Sequence, residues 1–280
     1  MPDPRGPRPA DLVRRITSLQ NESVKFIRAL EMRKARRETG LFVAEGASVL
    51  LTARDNGWSP RTLVLGPEAE ANSASSGLES WARAGKAEVL EVSAPVLAKL
   101  AAKENPQSVM AVFEQRWVAP PAPARTASDA LWLALEDVRD PGNLGTIIRT
   151  ADAAGAAGII LVGQTCDPYS REAVRASMGS IFAVPLVRLE AKEFHALAAA
   201  WAGDVVGTHL SGKIDYRKAA YRAPTLLVMG SEGAGLSDAS AAACRHLVRI
   251  PMAGRLDSLN LAVATALMLY EIRRPALQLP

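Results

Sequence analysis

Three polar, glycine-bearing segments interrupt an otherwise apolar second half of this chain, and their residue types limit the chemistry open to it. Asp140-Pro141-Gly142-Asn143-Leu144-Gly145-Thr146-Ile147-Ile148-Arg149 comes first, and Met229-Gly230-Ser231-Glu232-Gly233-Ala234-Gly235 second. The third runs from Ile250-Pro251-Met252 to Ser258-Leu259-Asn260. Each follows a strand-like stretch, where an open α/β sheet presents its ligand site. Asn143 and Arg149 pair an amide with a permanent cation at a strand-to-helix junction, which suits a substrate contact better than a lone structural ion pair. The second segment lacks the parts of a phosphate cradle, which uses backbone N–H groups and often a cation. Glu232 would set an anion against the phosphates, neither Lys nor Arg follows, and the glycine spacing is not that of a dinucleotide loop. An uncharged base with a cationic group fits it better. In the third segment Asp257 or Ser258 is the expected N-cap of a helix over 259–272, which places Asn260 in the first turn.

These residues need a scaffold, and the pattern around them supplies one. Strands are expected at 131–135, 159–162, 183–187, 205–208, 226–229 and 247–250, with helical patterns between most of them. That alternation signifies a parallel sheet covered on both faces. The last helix is apolar nearly all round, so it must be covered by the core or by another subunit, and the subunit is the preferred reading. Upstream, a helical pattern rich in cations runs from 16 to about 37. Strands follow at 41–44, 62–65, 89–92 and 109–113, with a helix over 94–102. The expected organisation is a flexible tail over 1–15, a small α/β domain over 16–117, a proline-rich linker over 118–129 and a larger α/β domain over 130–280.

A length of 280 residues favours two domains. The formal charge is +4, yet residues 1–40 hold ten Lys or Arg against five Asp or Glu, leaving the remainder at −1. A polyanion such as nucleic acid is the partner that this asymmetry favours over a merely solvated helix face. Arg28, Arg33, Lys34, Arg36 and Arg37 are its candidate contacts. Two cysteines, Cys166 and Cys244, and three scattered histidines make neither a disulfide framework nor a metal cage, and Cys244-Arg245-His246 reads as packing. No metal is expected. No run is long and apolar enough for a membrane span and no secretory leader is evident, so the cytoplasm is the expected location.

Taken together, the three segments resemble the signature motifs of the SpoU (TrmH-like) RNA 2′-O-ribose methyltransferases of the SPOUT class. Asn143 to Ala151, Met229 to Gly233, Ile250-Pro251-Met252 and Ser258-Leu259-Asn260 carry the likeness, supported by Ala173 to Ser180 and Pro185. The first domain is similar, less specifically, to the L30e-like substrate-binding module of the rRNA-directed members. Its match lies in Ile16 to Asn21, the basic helix, Leu41 to Gly46 and Glu104-Asn105-Pro106-Gln107.

The resemblance implies a deep trefoil knot in the second domain, a homodimer joined through it, and S-adenosylmethionine as methyl donor. It assigns the cofactor to Thr208, Leu210, Gly230, Ile250 and Leu259, and catalysis to Arg149, Asn143, Glu232, Ser258 and Asn260. Ribosomal RNA is the favoured substrate because the first domain is similar to that of rRNA-directed relatives. A tRNA substrate, a catalytically silent RNA-binding relative and a nicotinamide-dependent enzyme are the rival readings. The last is weakened by the missing glycine fingerprint. Arginine is protonated at any ordinary pH, so Arg149 is expected to stabilise charge and bind phosphate rather than to act as a base.

Overall fold

The computed structural model describes residues 13–69, 73–101, 107–123 and 126–278. Two compact units form: the described residues up to Gln115 together with Tyr169–Ala183, and Arg116–Pro168 together with the described residues from Val184 onward.

In the first unit, β1 (Val13–Ile16), β2 (Leu41–Glu45), β3 (Thr62–Leu65), β4 (Glu88–Val92) and β5 (Val109–Glu114) build one mixed sheet in the order β1-β4-β3-β5-β2. β1 lies parallel to β4, with Val13 opposite Val89, so residues 13–15 are a sheet edge rather than part of the expected tail. Residues 1–12 and Glu104-Asn105-Pro106 fall outside the described residues. α1 (Glu22–Ala29) starts where the Asn21 side chain accepts the Ser23 N–H at 2.9 Å. Its eight residues are too few to hold a helix alone. Burial of Val24, Ile27 and the following Leu30 holds it, at about 1.5–3 kcal/mol for each fully buried side chain. The expected single helix from 16 to 37 is therefore two: α1, and α2 (Arg33–Thr39), which ends at Gly40 with φ +68°. α3 (Ala47–Asp55), α4 (Ser73–Ala84) and α5 (Ala94–Ala101) complete the unit's upstream part.

The second unit is a seven-stranded, all-parallel sheet. Its strands are β6 (Leu131–Glu136), β7 (Gly158–Val162), β8 (Leu186–Leu189), β9 (Val205–Thr208), β10 (Ile214–Asp215), β11 (Thr225–Met229) and β12 (His246–Arg249). Their order is β10-β12-β9-β11-β6-β7-β8. β6, β7 and β11 are buried at every position, which explains their continuous apolar runs. α6 (Pro141–Ala153) follows β6, α8 (Ala191–Ala199) follows β8, α9 (Asp238–Ala243) precedes β12, and α10 (Leu261–Arg273) ends the chain. From β6 the chain winds out through β7 to β8, then returns to the other side of β6. The sheet thus has a switch point between β6 and β11, and such points place ligands at the strands' carboxyl ends. No helix among the described residues is long and apolar enough to cross a membrane.

Two boundaries differ from expectation. Val118 N–H donates to Leu186 O at 2.9 Å, and the Arg188 guanidinium lies 4.2 Å from the Trp117 ring centroid. The segment from Arg116 thus packs on the second unit instead of closing the first. Between β7 and β8, α7 (Arg171–Ala176) and a 3₁₀ turn (Ser180–Phe182) belong to the first unit. Tyr169 stacks 4.7 Å from Phe42, and Trp58 donates its indole N–H to Phe182 O at 2.8 Å. The strand expected at 183–187 begins only at Leu186. Met178 and Gly179 both take left-handed φ, and the 3₁₀ turn occupies the intervening residues.

Candidate active site

The three segments meet at the carboxyl edge of the parallel sheet. Asp140 caps α6 by accepting the Asn143 N–H at 2.6 Å, with Pro141 in the first turn where no donor is needed. This fixes Asn143 at the helix entrance. Glu232, beyond β11, accepts from Asn143 Nδ2 at 3.1 Å and from the N–H groups of Arg139 and Asp140 at 3.3 Å each. Asn260 donates through Nδ2 to Asn143 Oδ1 at 2.9 Å. Its Oδ1 accepts the Ala262 and Val263 N–H groups at 2.9 and 3.3 Å. Asn260 is therefore the N-cap of α10, not a first-turn residue behind Asp257 or Ser258 as the sequence suggested. Its amide does two jobs at once, because a capping asparagine uses only its oxygen and leaves the NH₂ free.

Burial alone would push the Glu232 carboxyl up, but hydrogen bonds from backbone N–H groups and from Asn143 outweigh it and hold the group below its ordinary range. The site keeps a fixed negative charge that no cation among the described residues pairs with, and dipoles balance it. The Cys166 thiol is driven the other way, up to about 12, by burial and by the nearby Glu232 and Asp140 carboxylates. It stays protonated and unreactive.

Beside this relay lies a hollow of about 260 Å³ at the ends of β9, β11 and β12. Thr208, Leu210, Gly230, Ile250 and Leu259 all line it, as do Glu232 and Ser258. The five positions that the family resemblance assigns to the cofactor, scattered in sequence, thus share one wall. Gly230 is required there. A Cβ on it would run into the Gly235 carbonyl group, because the loop folds back through Ser231 N–H to Gly235 O at 3.0 Å and Gly235 N–H to Ser231 O at 3.1 Å. Gly230, Gly233 and Gly235 can offer only main chain to this lining, to which Met229, Val248, Ile250 and Leu261 add apolar residues. An adjoining hollow is lined by Arg139, Asp140, Asn143, Ser231, Glu232 and Asn260.

Arg149 stands apart from both hollows. It is exposed on α6 and makes no hydrogen bond or ion pair with the described residues. Arg28, Arg33, Lys34 and Arg37 are exposed on the first unit. Arg36 is not: it is 4 % exposed, and its guanidinium donates to Leu30 O at 2.8 Å and Glu31 O at 2.7 Å. It closes the end of α1, and its place among the RNA-facing cations is withdrawn. Cys244 donates its thiol to Ser240 O and His246 faces Asp204 at 3.6 Å, so the two do not converge on a common point.

Sequence reasoning missed two supports. Glu136, buried at the end of β6, accepts from Ser237 N–H at 2.9 Å, Ser237 Oγ at 2.7 Å and Ser240 Oγ at 2.6 Å. It anchors the far end of the Glu232 loop. A lone acid closing an apolar strand was its signal. Asp137, at φ +52°, accepts the Gln164 N–H at 2.6 Å and holds the approach to Asp140. Nothing in its type announced this.

A hollow at the switch point of a parallel sheet, rimmed by an Asn–Asn–Glu relay that holds an ionised carboxylate, defines the ligand site of an open α/β protein. Residues 130–270 match the model of the SpoU rRNA Methylase family, and residues 21–111 match that of the MRM3-like substrate binding domain. The solved AdoMet-bound rRNA methyltransferase from Sinorhizobium meliloti superposes with a TM-score of 0.86 at 47 % identity, covering 95 % of this chain and 99 % of that one. The 23S rRNA (uridine(2479)-2′-O)-methyltransferase of Streptomyces viridochromogenes is 37 % identical, over 93 % of this chain and 92 % of its own. The 23S rRNA (guanosine(2553)-2′-O)-methyltransferase RlmP of Bacillus subtilis is 29 % identical, over 93 % and 100 %. The chain belongs to the SpoU rRNA methylase family.

Proposed function

We infer that this chain transfers a methyl group from S-adenosylmethionine to a ribose 2′-hydroxyl in ribosomal RNA. The observation that carries the reading is the Asn260–Asn143–Glu232 relay at the rim of a cradle lined by all five cofactor positions. The residues present fit the donor: main chain and apolar side chains suit an adenosine, and an ionised Glu232 suits a sulfonium cation. When bound, the donor supplies an electrophilic methyl carbon.

The remaining chemistry belongs to the chain. Asn143 and Asn260 lock each other's amides and keep the rim rigid, while Ser258 lines the neighbouring hollow. The ribose hydroxyl gives up its proton to solvent as its oxygen takes the methyl group, and Arg149, a fixed cation, stabilises the negative charge that develops on that oxygen. Arg149 is absent from the walls of the hollow in its own chain, which supports a homodimer whose arginine serves across the seam. Val263, Leu267 and Tyr270 support the same dimer: they form an exposed apolar stripe along α10, the helix packed on α6. The knot of the SPOUT class belongs with this reading of the second unit, as does a cytoplasmic location, where ribosomal RNA is found. Arg28, Arg33, Lys34 and Arg37 give the first unit a basic face for the RNA.

Incubating the protein with tritiated S-adenosylmethionine and protein-free 23S rRNA, then mapping ribose methylation, tests the reading. Label retained on one 2′-oxygen is expected. Label on a base, or none, would overturn it.

A further inference from the structure

Strand β10 is only two residues long and forms the outer edge of the parallel sheet. A groove of about 590 Å³ runs beside it, lined by Leu210, Lys213, Ile214, Asp215, Arg249 and Met252 among others. Leu210, Arg249 and Met252 also line the cofactor hollow, so the groove leads directly from it. Residues 209–222 carry Lys213, Arg217, Lys218 and Arg222 against a single acid, Asp215.

That acid is already committed. Arg217 grips it with a fork, Nε to Oδ1 at 3.1 Å and Nη2 to Oδ2 at 2.7 Å, and the guanidinium sits 5.8 Å from the Tyr216 ring centroid. The side-chain bond from Arg217 and the adjacent backbone N–H bring the Asp215 carboxyl down to about 2. Lys213 and Arg249 are exposed, and their side chains make no hydrogen bond or ion pair with the described residues. Leu210 is 55 % exposed and Ile214 41 %, giving the groove apolar footing between the cations.

Cations on a sheet edge also serve to prevent edge-to-edge pairing. That accounts for Lys213 and Lys218 but not for Arg249, which stands on β12, the inner neighbour of the edge strand. A second copy of the chain fits poorly, because a two-fold contact would set these like charges face to face. A polyanion meets every feature. We propose that the β10 groove seats the sugar–phosphate backbone of the RNA strand next to the methylated ribose, so that the second unit holds substrate independently of the first. This rests on the RNA reading above.

The test is the full-length Lys213→Glu variant, with Lys213→Arg as the charge-preserving control, because Lys213 lines the groove. Lys213 is exposed and outside the cofactor hollow, so S-adenosylmethionine affinity by calorimetry and melting temperature should match wild type. Filter-binding titrations with protein-free 23S rRNA at several salt concentrations supply the readout. For one lost phosphate contact the expected result is several-fold weaker binding at low salt and a log–log salt slope shallower by about 0.7. The arginine control should bind as wild type. Unchanged affinity and slope in the glutamate variant would overturn the proposal. So would a loss of binding accompanied by dissociation in sedimentation velocity, which would assign the groove to a second copy. If wild-type protein binds S-adenosylmethionine but no RNA, the RNA reading itself falls and this groove with it.

Discussion

Asn260 and Asn143 lie 117 positions apart, yet a hydrogen bond of 2.9 Å joins their side-chain amides. The contact orders both groups. Asn260 must turn its oxygen toward the α10 N–H groups, which leaves its NH₂ for Asn143 Oδ1 and in turn aims the Asn143 NH₂ at Glu232. Each amide has one orientation that satisfies its neighbours.

Capping and relay separate in Asn260→Asp. Aspartate caps as well as asparagine, so the melting temperature should hold, within about 0.5 kcal/mol in stability terms. The NH₂ donor is gone, however, and a carboxylate faces Asn143 Oδ1. Losing one such bond corresponds to about 0.5–1.5 kcal/mol, so methyl transfer should fall up to roughly tenfold. Asn260→Ala should also lose about 1 kcal/mol of stability. Calorimetric melting with tritium-transfer assays on both variants checks this. Equal melting losses in the two would refute the dual role.

Glu232 makes a pH prediction. Its carboxyl is held below the ordinary range in the folded protein, despite burial, by backbone and Asn143 hydrogen bonds. A depressed carboxyl contributes stability that is present above its unfolded pKa and lost as pH falls through the folded one. The wild-type melting temperature should drop through that acidic window more steeply than that of Glu232→Gln. At neutral pH the glutamine variant should bind S-adenosylmethionine more weakly, while wild-type affinity stays flat. Parallel melting curves for the two proteins would contradict the assignment.

Arg149→Ala should separate stability from turnover. An exposed side chain without partners among the described residues leaves the melting temperature nearly unchanged, within about 0.5 kcal/mol. Removing the cation proposed for the developing oxyanion should lower turnover by about 10²–10³. Single-turnover methyl transfer and cofactor calorimetry on the same preparation decide it. A variant with intact turnover would remove Arg149 from the mechanism.

On the first unit, Arg28→Glu/Arg37→Glu and Arg36→Ala should behave oppositely. The first pair is exposed, so it should flatten the salt dependence of rRNA binding, by about 0.7–0.9 per phosphate contact, without destabilising the fold. Arg36→Ala strips two carbonyls of a buried donor and should cost about 1–3 kcal/mol of stability, leaving the slope as it was. Chemical denaturation and salt-dependent filter binding make the comparison. A shallower slope in Arg36→Ala would return that residue to the RNA surface.

The contrast between Arg36 and its neighbours marks where sequence reading stops. A run of cations on a short helix shows that charge is present, but not which guanidinium folds back onto carbonyls at the end of the preceding helix. The parallel strands were legible because burial on both faces demands unbroken apolar runs, as in β6, β7 and β11. β10 was not, since two residues carry no period. The five positions that family likeness assigns to the cofactor line one hollow. Glu136 escaped because its role depends on two serines a hundred positions away, Ser237 and Ser240. The start of α10 was misplaced by two residues, because Asp257, Ser258 and Asn260 are all competent caps and only the fold selects one.

The assignment of Tyr169–Ala183 to the first unit bears on how such proteins can be recombined. A graft that exchanged only the residues up to Gln115 would strand Tyr169 and Phe182 without the aromatic neighbours Phe42 and Trp58 that now enclose them. A chimaera given a new recognition module must therefore inherit this internal strip from the same donor. Along this chain the boundary between the two units is crossed three times, and it is not a single cut site.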